Sequence, residues 1–96
     1  MYKVNLEPVI LPSRGSVVIP TNIHIQLPEA YEAQVRGRSG LEFKHDIISH
    51  LGMIDADYRG AIAVKLFNLS DNNFLVQPGE RIAQLVVMPF LAVEFD

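Results

Sequence analysis

Apolar and polar residues alternate along three stretches of this chain, and that period of two most limits what it can fold into. Ile23, Ile25 and Leu27 alternate with His24 and Gln26. Tyr31, Ala33 and Val35 alternate with Glu32, Gln34 and Arg36, and Ile62, Val64 and Leu66 with Ala63, Lys65 and Phe67. Neighbouring side chains on a strand point to opposite faces, so each stretch reads as a half-buried strand. Val17-Val18-Ile19 and Leu85-Val86-Val87 are unbroken apolar runs, which predicts strands covered on both faces. Turn chemistry punctuates them: Pro12-Ser13-Arg14-Gly15, Asp71-Asn72-Asn73 and Gln77-Pro78-Gly79-Glu80. Pro20, Pro28 and Pro89 are expected to close strands rather than interrupt them. A helical turn over Ser39 to Lys44 is the only helix the pattern allows. Short strands with frequent turns predict an all-β fold, a jelly roll or distorted β-barrel, as a single domain over residues 1–96.

Composition narrows the function. Hydrophobic residues make up 49% and charged residues 20% of the 96 positions, an apolar balance that predicts a subunit interface. No stretch is long and apolar enough to read as a transmembrane helix, the first residues carry no apolar signal core, and no membrane partner is expected. A net charge of −3 argues against a nucleic-acid binder but not against a small phosphate ligand, for which a few local cations suffice. There is no cysteine, which excludes disulfides and thiolate metal sites, and His24, His45 and His50 lack metal-ligand spacing. Asn68-Leu69-Ser70 matches a glycosylation sequon, read here as chance.

Three segments could carry chemistry. Gly52-Met53-Ile54-Asp55-Ala56-Asp57-Tyr58-Arg59-Gly60 sets two carboxylates beside an aromatic ring, with glycines that let backbone approach a ligand. One acid can serve as a general base and the ring can stack; the same residues also suit a solvated hairpin rim. Arg36-Gly37-Arg38-Ser39-Gly40 offers guanidinium forks for phosphate oxygens, or a loop whose arginines meet solvent. Gln84 interrupts the apolar run after Gly79-Glu80-Arg81, so it is either exposed on an edge or bonded to something specific.

Taken in order, Arg38-Ser39-Gly40-Leu41, Gly52 through Gly60, and Gly79-Glu80-Arg81-Ile82-Ala83-Gln84-Leu85 closely resemble the trimeric dUTPase family (deoxyuridine triphosphate nucleotidohydrolases). The resemblance covers nearly the whole chain. It implies a β jelly roll, a homotrimer with sites between subunits, and cleavage of dUTP to dUMP and pyrophosphate. It implies Mg²⁺ held mainly by substrate phosphates and water, with no firm protein ligand. Asp55 would hold and deprotonate the attacking water, and Tyr58 would lie on the deoxyribose. Arg38, Ser39, Gly40 and Gln84 would bind phosphate oxygens. The hairpin around Ile48 to Met53, with Gly52, Met53 and Ile54, would read uracil through its backbone. Asp57 and Arg59 would hold the hairpin together. A cytoplasmic setting, or that of an infected cell, is expected.

The chain also departs from that pattern. Gly37 stands where the family has a proline, Glu42 where it has a small residue, and His50-Leu51 where smaller or amide residues are usual. Met1-Tyr2 falls at the end of the family's early Ala-Gly-x-Asp-Leu segment, and Phe95-Asp96 comes before its glycine-rich arm. A compact or truncated enzyme is therefore the leading expectation. The alternative is a catalytically weak nucleotide-binding or protein-binding module on the same scaffold. Deamination of dCTP on the related fold is a third reading, disfavoured because no matching glutamate arrangement is found.

Overall fold

The computed structural model describes residues 7–89; Met1-Tyr2 and Phe95-Asp96 lie outside them. Eight strands and one short helix follow in order among the described residues: β1 (Val9–Leu11), β2 (Ser16–Ile23), β3 (Tyr31–Arg36), α1 (Ser39–His45), β4 (Ile47–Ser49), β5 (Gly52–Ile54), β6 (Ile62–Asn68), β7 (Phe74–Val76) and β8 (Gln84–Pro89). They form three small antiparallel sheets, ordered β1-β7, β2-β6-β4 and β5-β3-β8. The chain is all-β, as its alternation predicts.

Each sheet turns one face to a shared core. Ile62, Val64 and Leu66 of β6 are buried while Ala63 and Lys65 between them are exposed. Leu11, Ile19, Ala33, Val35, Ile47, Ile54, Val76 and Ile82 complete the interior. The central strand β3 differs, because Gln34 is buried too. It accepts from the Arg36 guanidinium (3.1 and 2.8 Å) and donates to Glu32 (3.3 Å), so the buried amide has partners.

Three expectations need correction. Val17–Ile19 and Leu85–Val87 are not covered on both faces: Val18 is 58% exposed and Val87 51%. Both runs lie on edge strands of sheets that meet the core from one side only, so their outward residues have no cover among the described residues. The ladder of β2 stops at Ile23, so Ile25 and Leu27 belong to no strand. Their side chains still pack on the core, which is why they alternate. Pro20 lies inside β2, where the pairing with β6 shifts between Pro20 and Ile23 and Asn22 turns to φ 57°. An edge strand tolerates a proline at such an irregularity, since the missing N–H need not reach a neighbour.

The turns match their chemistry. Gly15 N donates to Pro12 O (2.9 Å) with Arg14 at φ 63°, and Glu80 N donates to Gln77 O (3.2 Å) with Gly79 at φ 78°. Helix α1 ends when Asp46 enters the left-handed region and returns its N–H to the last turn. Asn68 is buried and donates both amide hydrogens to backbone carbonyls, which leaves the sequon no reactive, accessible nitrogen.

Candidate active site

Strands β5 and β6 follow each other through the loop at residues 55–61, yet they do not pair. β5 joins β3, and β6 joins β2 and β4. The edge that Ala61 and the start of β6, Ile62 and Ala63, turn to β5 therefore has no ladder partner among the described residues. Between the splayed strands lies a cavity of about 370 Å³ lined by Val35, Gly52, Met53, Ile54, Asp55, Tyr58, Ala61, Ile62 and Ala63. Gly52, Ala61 and Ala63 leave strand backbone bare in this slot. A planar group with its own donors and acceptors can take the place of the missing strand there.

The turn between the strands is tied by side chains that bond to carbonyls. Tyr58 N donates to Asp55 O (3.1 Å), and the Tyr58 hydroxyl donates to Ala61 O (2.8 Å). The Arg59 guanidinium donates to the carbonyls of Ala56 and Tyr58. His24 Nδ1 meets the Arg59 carbonyl at 2.9 Å, so that nitrogen carries the proton. A Cβ on Gly60 would come within 2.6 Å of Tyr58 Cζ and 3.0 Å of Cε1, so the ring lies where only glycine leaves room. Tyr58 thereby forms a wall of the slot.

Asp55 stands where two cavities meet. It lines the slot, and it also lines a second cleft of about 320 Å³ with Glu29, Tyr31, Glu32 and Asp57. Its carboxylate has no partner among the described residues and is exposed, free to accept a proton from bound water. Among the described residues no group of three His, Asp or Glu side chains is placed to hold a metal ion.

The second group of sequence-derived residues sits elsewhere. Arg38 caps α1 in extended conformation (φ −106°, ψ 132°), with Ser39 and Gly40 exposed in the first turn. Gln84 is exposed on edge strand β8, and the ladder sets it opposite Arg36. Ser49 Oγ donates to Ile82 O (3.1 Å), tying β4 to the approach of β8. Arg38, Ser39, Gly40 and Gln84 thus gather at one end of β3.

Asp55 is at the other end. The Ala33↔Ile54 pair puts Asp55 level with Glu32, six residues before Arg38. At about 3.3 Å per strand residue that is roughly 20 Å. Gly52, Met53, Ile54, Asp55 and Tyr58 come together within one chain, but Arg38, Ser39, Gly40 and Gln84 do not join them. Val35, Ala61, Ile62 and Ala63 line the slot without being singled out by sequence. Small apolar side chains carry no chemical signature, and only the splaying of β5 from β6 exposes their backbone.

The dUTPase family model matches residues 4–96. Deoxyuridine 5'-triphosphate nucleotidohydrolase of Oryza sativa subsp. japonica is 51% identical over 79 residues, covering 82% of this chain and 46% of that protein. The protein of the same name from Hydrogenobaculum sp. is 52% identical over 88 residues, covering 90% of this chain and 61% of its own. This chain therefore spans about half to three fifths of those relatives. The Staphylococcus bacteriophage 80alpha dUTPase superposes with a TM-score of 0.87 at 26% identity, covering 99% of this chain and 79% of that one. With that fold and that match over nearly its full length, the chain belongs to the dUTPase family.

Proposed function

We propose that this chain hydrolyses dUTP to dUMP and pyrophosphate at sites built between copies of itself. The observation that carries the reading is the separation along β3. The slot with its acid and the phosphate-gripping loop each have the chemistry for one part of a nucleotide, but one chain holds them roughly 20 Å apart. A nucleotide in the slot reaches a second copy's Arg38, Ser39, Gly40 and Gln84 only if copies pack slot to loop. A cyclic homotrimer satisfies this, because head-to-tail contacts close into a ring. Val18, Met53 and Val87, all more than half exposed, supply apolar surface for such packing.

The chemistry then follows from the groups present. Backbone donors and acceptors of Gly52 to Ile54 and of Ala61 to Ala63 bind the edge of uracil. Its 5-position faces a slot too narrow for thymine's methyl. The Tyr58 ring lies against the sugar and leaves no space for a 2′-hydroxyl. Asp55 accepts a proton from a water aligned on the α-phosphorus. As that oxygen bonds to phosphorus, the α–β bridge breaks and pyrophosphate leaves. Arg38 and the backbone around Ser39 and Gly40 stabilise the charge that grows on the phosphate oxygens. Mg²⁺ fits this arrangement as an ion carried by the triphosphate and water, where it would neutralise phosphate charge; no protein ligand is assigned to it.

The test is pyrophosphate release from dUTP, UTP, dTTP and dCTP with Mg²⁺, alongside the oligomeric state. Turnover of dUTP alone by a trimer supports the reading. A folded trimer that turns over none of them, yet binds a non-hydrolysable dUTP analogue, would point to the binding-module alternative.

A further inference from the structure

Gly37 joins β3 to the extended Arg38 that opens α1. A Cβ built on Gly37 would lie 3.3 Å from Cδ of Glu42, closer still to Glu42 Oε1, and 3.6 Å from the Ser49 amide nitrogen. The Glu42 side chain therefore folds back from the first turn of the helix into the space a side chain at position 37 would fill. Backbone geometry favours this return, since Glu42 N donates to Arg38 O (3.1 Å) and sets residue 42 one turn above the loop. The glutamate is half-buried, and among the described residues its carboxylate makes no ion pair or hydrogen bond. What keeps it there is fit against bare backbone rather than charge.

We propose that Glu42 is a positioning residue for the phosphate-binding loop, with Gly37 as the bare position that receives it. Glycine at 37 gives the joint between β3 and Arg38 freedom that no other residue would. The carboxylate end of the folded Glu42 side chain takes that freedom away by packing on it, with Ser49 of β4 behind. Arg38, Ser39 and Gly40 are thereby held in register with Gln84 across the Arg36↔Gln84 pair. Contact through shape makes two demands: the neutral isostere should serve as well as the acid, and changes at 37 and 42 should not be independent.

The proposal rests on the dUTPase reading, so the experiment has two readouts. KM and kcat for dUTP, and Tm, are measured for the parent, Gly37→Ala, Glu42→Ala, Glu42→Gln and the double variant Gly37→Ala/Glu42→Ala. Glu42→Ala alone is expected to raise KM about fivefold with kcat nearly kept, the scale of coupling between residues in contact. Gly37→Ala, whose methyl displaces only the far end of the Glu42 side chain and itself stiffens the joint, is expected to stay within about twofold of the parent. Glu42→Gln is expected to match the parent. The double variant should return to within about twofold of parental KM, because the methyl introduced at position 37 then fills the vacated space and stiffens the joint. Effects that multiply in the double variant, a Glu42→Ala without effect, or a Glu42→Gln as impaired as Glu42→Ala would each overturn the proposal. If the parent releases no pyrophosphate, the functional reading fails by itself, and coupling is judged from Tm. Non-additive shifts then uphold the pairing of Gly37 with Glu42, and additive shifts overturn it.

Discussion

Strand β6 ends in two opposite ways, and the contrast explains where this molecule keeps its chemistry. At its far end Asn68 is 1% exposed and uses every hydrogen-bonding position it has. It donates to Leu11 O (3.1 Å) and Asn72 O (2.8 Å) and accepts from Ser70 N (2.9 Å) and Ser70 Oγ (2.7 Å). Ser13 joins the knot by donating to Asn73 Oδ1 and Ser70 O. At its near end β6 parts from β5, Tyr58 is 46% exposed, and the Asp55 carboxylate is free among the described residues. One end satisfies its polar groups internally and fixes the fold. The other holds its backbone with side-chain ties but leaves a carboxylate, a ring and two strand edges to face a ligand. Polar residues serve stability where they are buried and saturated, and function where they are tethered and open.

The contrast can be broken from either end. Asp55→Asn keeps the shape and removes the proposed base; turnover of dUTP should fall about a thousandfold, with Tm within a degree or two of the parent's, as general-base loss predicts. Next in size, Asn68→Asp sets a buried carboxylate against the Leu11 and Asn72 carbonyls. It should lower unfolding free energy by about 3 kcal/mol in a denaturant titration, while the activity per folded molecule is unchanged. Gly60→Ala pushes the Tyr58 ring off its seat. The ratio of kcat/KM for dUTP over UTP should drop about tenfold, the worth of one well-placed contact. Smallest is His24→Phe, which removes the exposed bond to the Arg59 carbonyl. A rise in KM of about twofold or threefold is expected, since one such bond is worth about 1 kcal/mol at most.

Much of the scaffold could be read from the sequence, for a physical reason. Burial on one face is a local property of each strand, so β3 and β6 declare themselves by alternation. Partnership is not local. Nothing in Gly52 to Ile54 says that β5 pairs with β3 rather than with β6, and that choice opens the slot. Val18 and Val87 misled for a related reason, because an apolar run shows only that something covers it, and among the described residues nothing does. Asp55, Tyr58 and Arg38 stood out because the segments that hold them resemble the dUTPase motifs in order; read alone, each also suited a solvated loop. Ala61 and Ala63 did not, because their contribution is backbone and small size. The distance from Asp55 to Arg38 was hidden altogether, since it follows from strand register.

That distance supports the most direct test of a site shared between copies. Asp55→Asn and Arg38→Ala chains are each purified, unfolded together in equal amounts, and refolded as a mixture. If the acid and the phosphate loop come from different copies, about a quarter of all sites in the refolded mixture carry both intact groups, and that share of parental dUTP turnover should return. If both groups serve a site within one chain, no mixed assembly contains an intact site. The mixture would then be as inactive as its parts, contradicting the account.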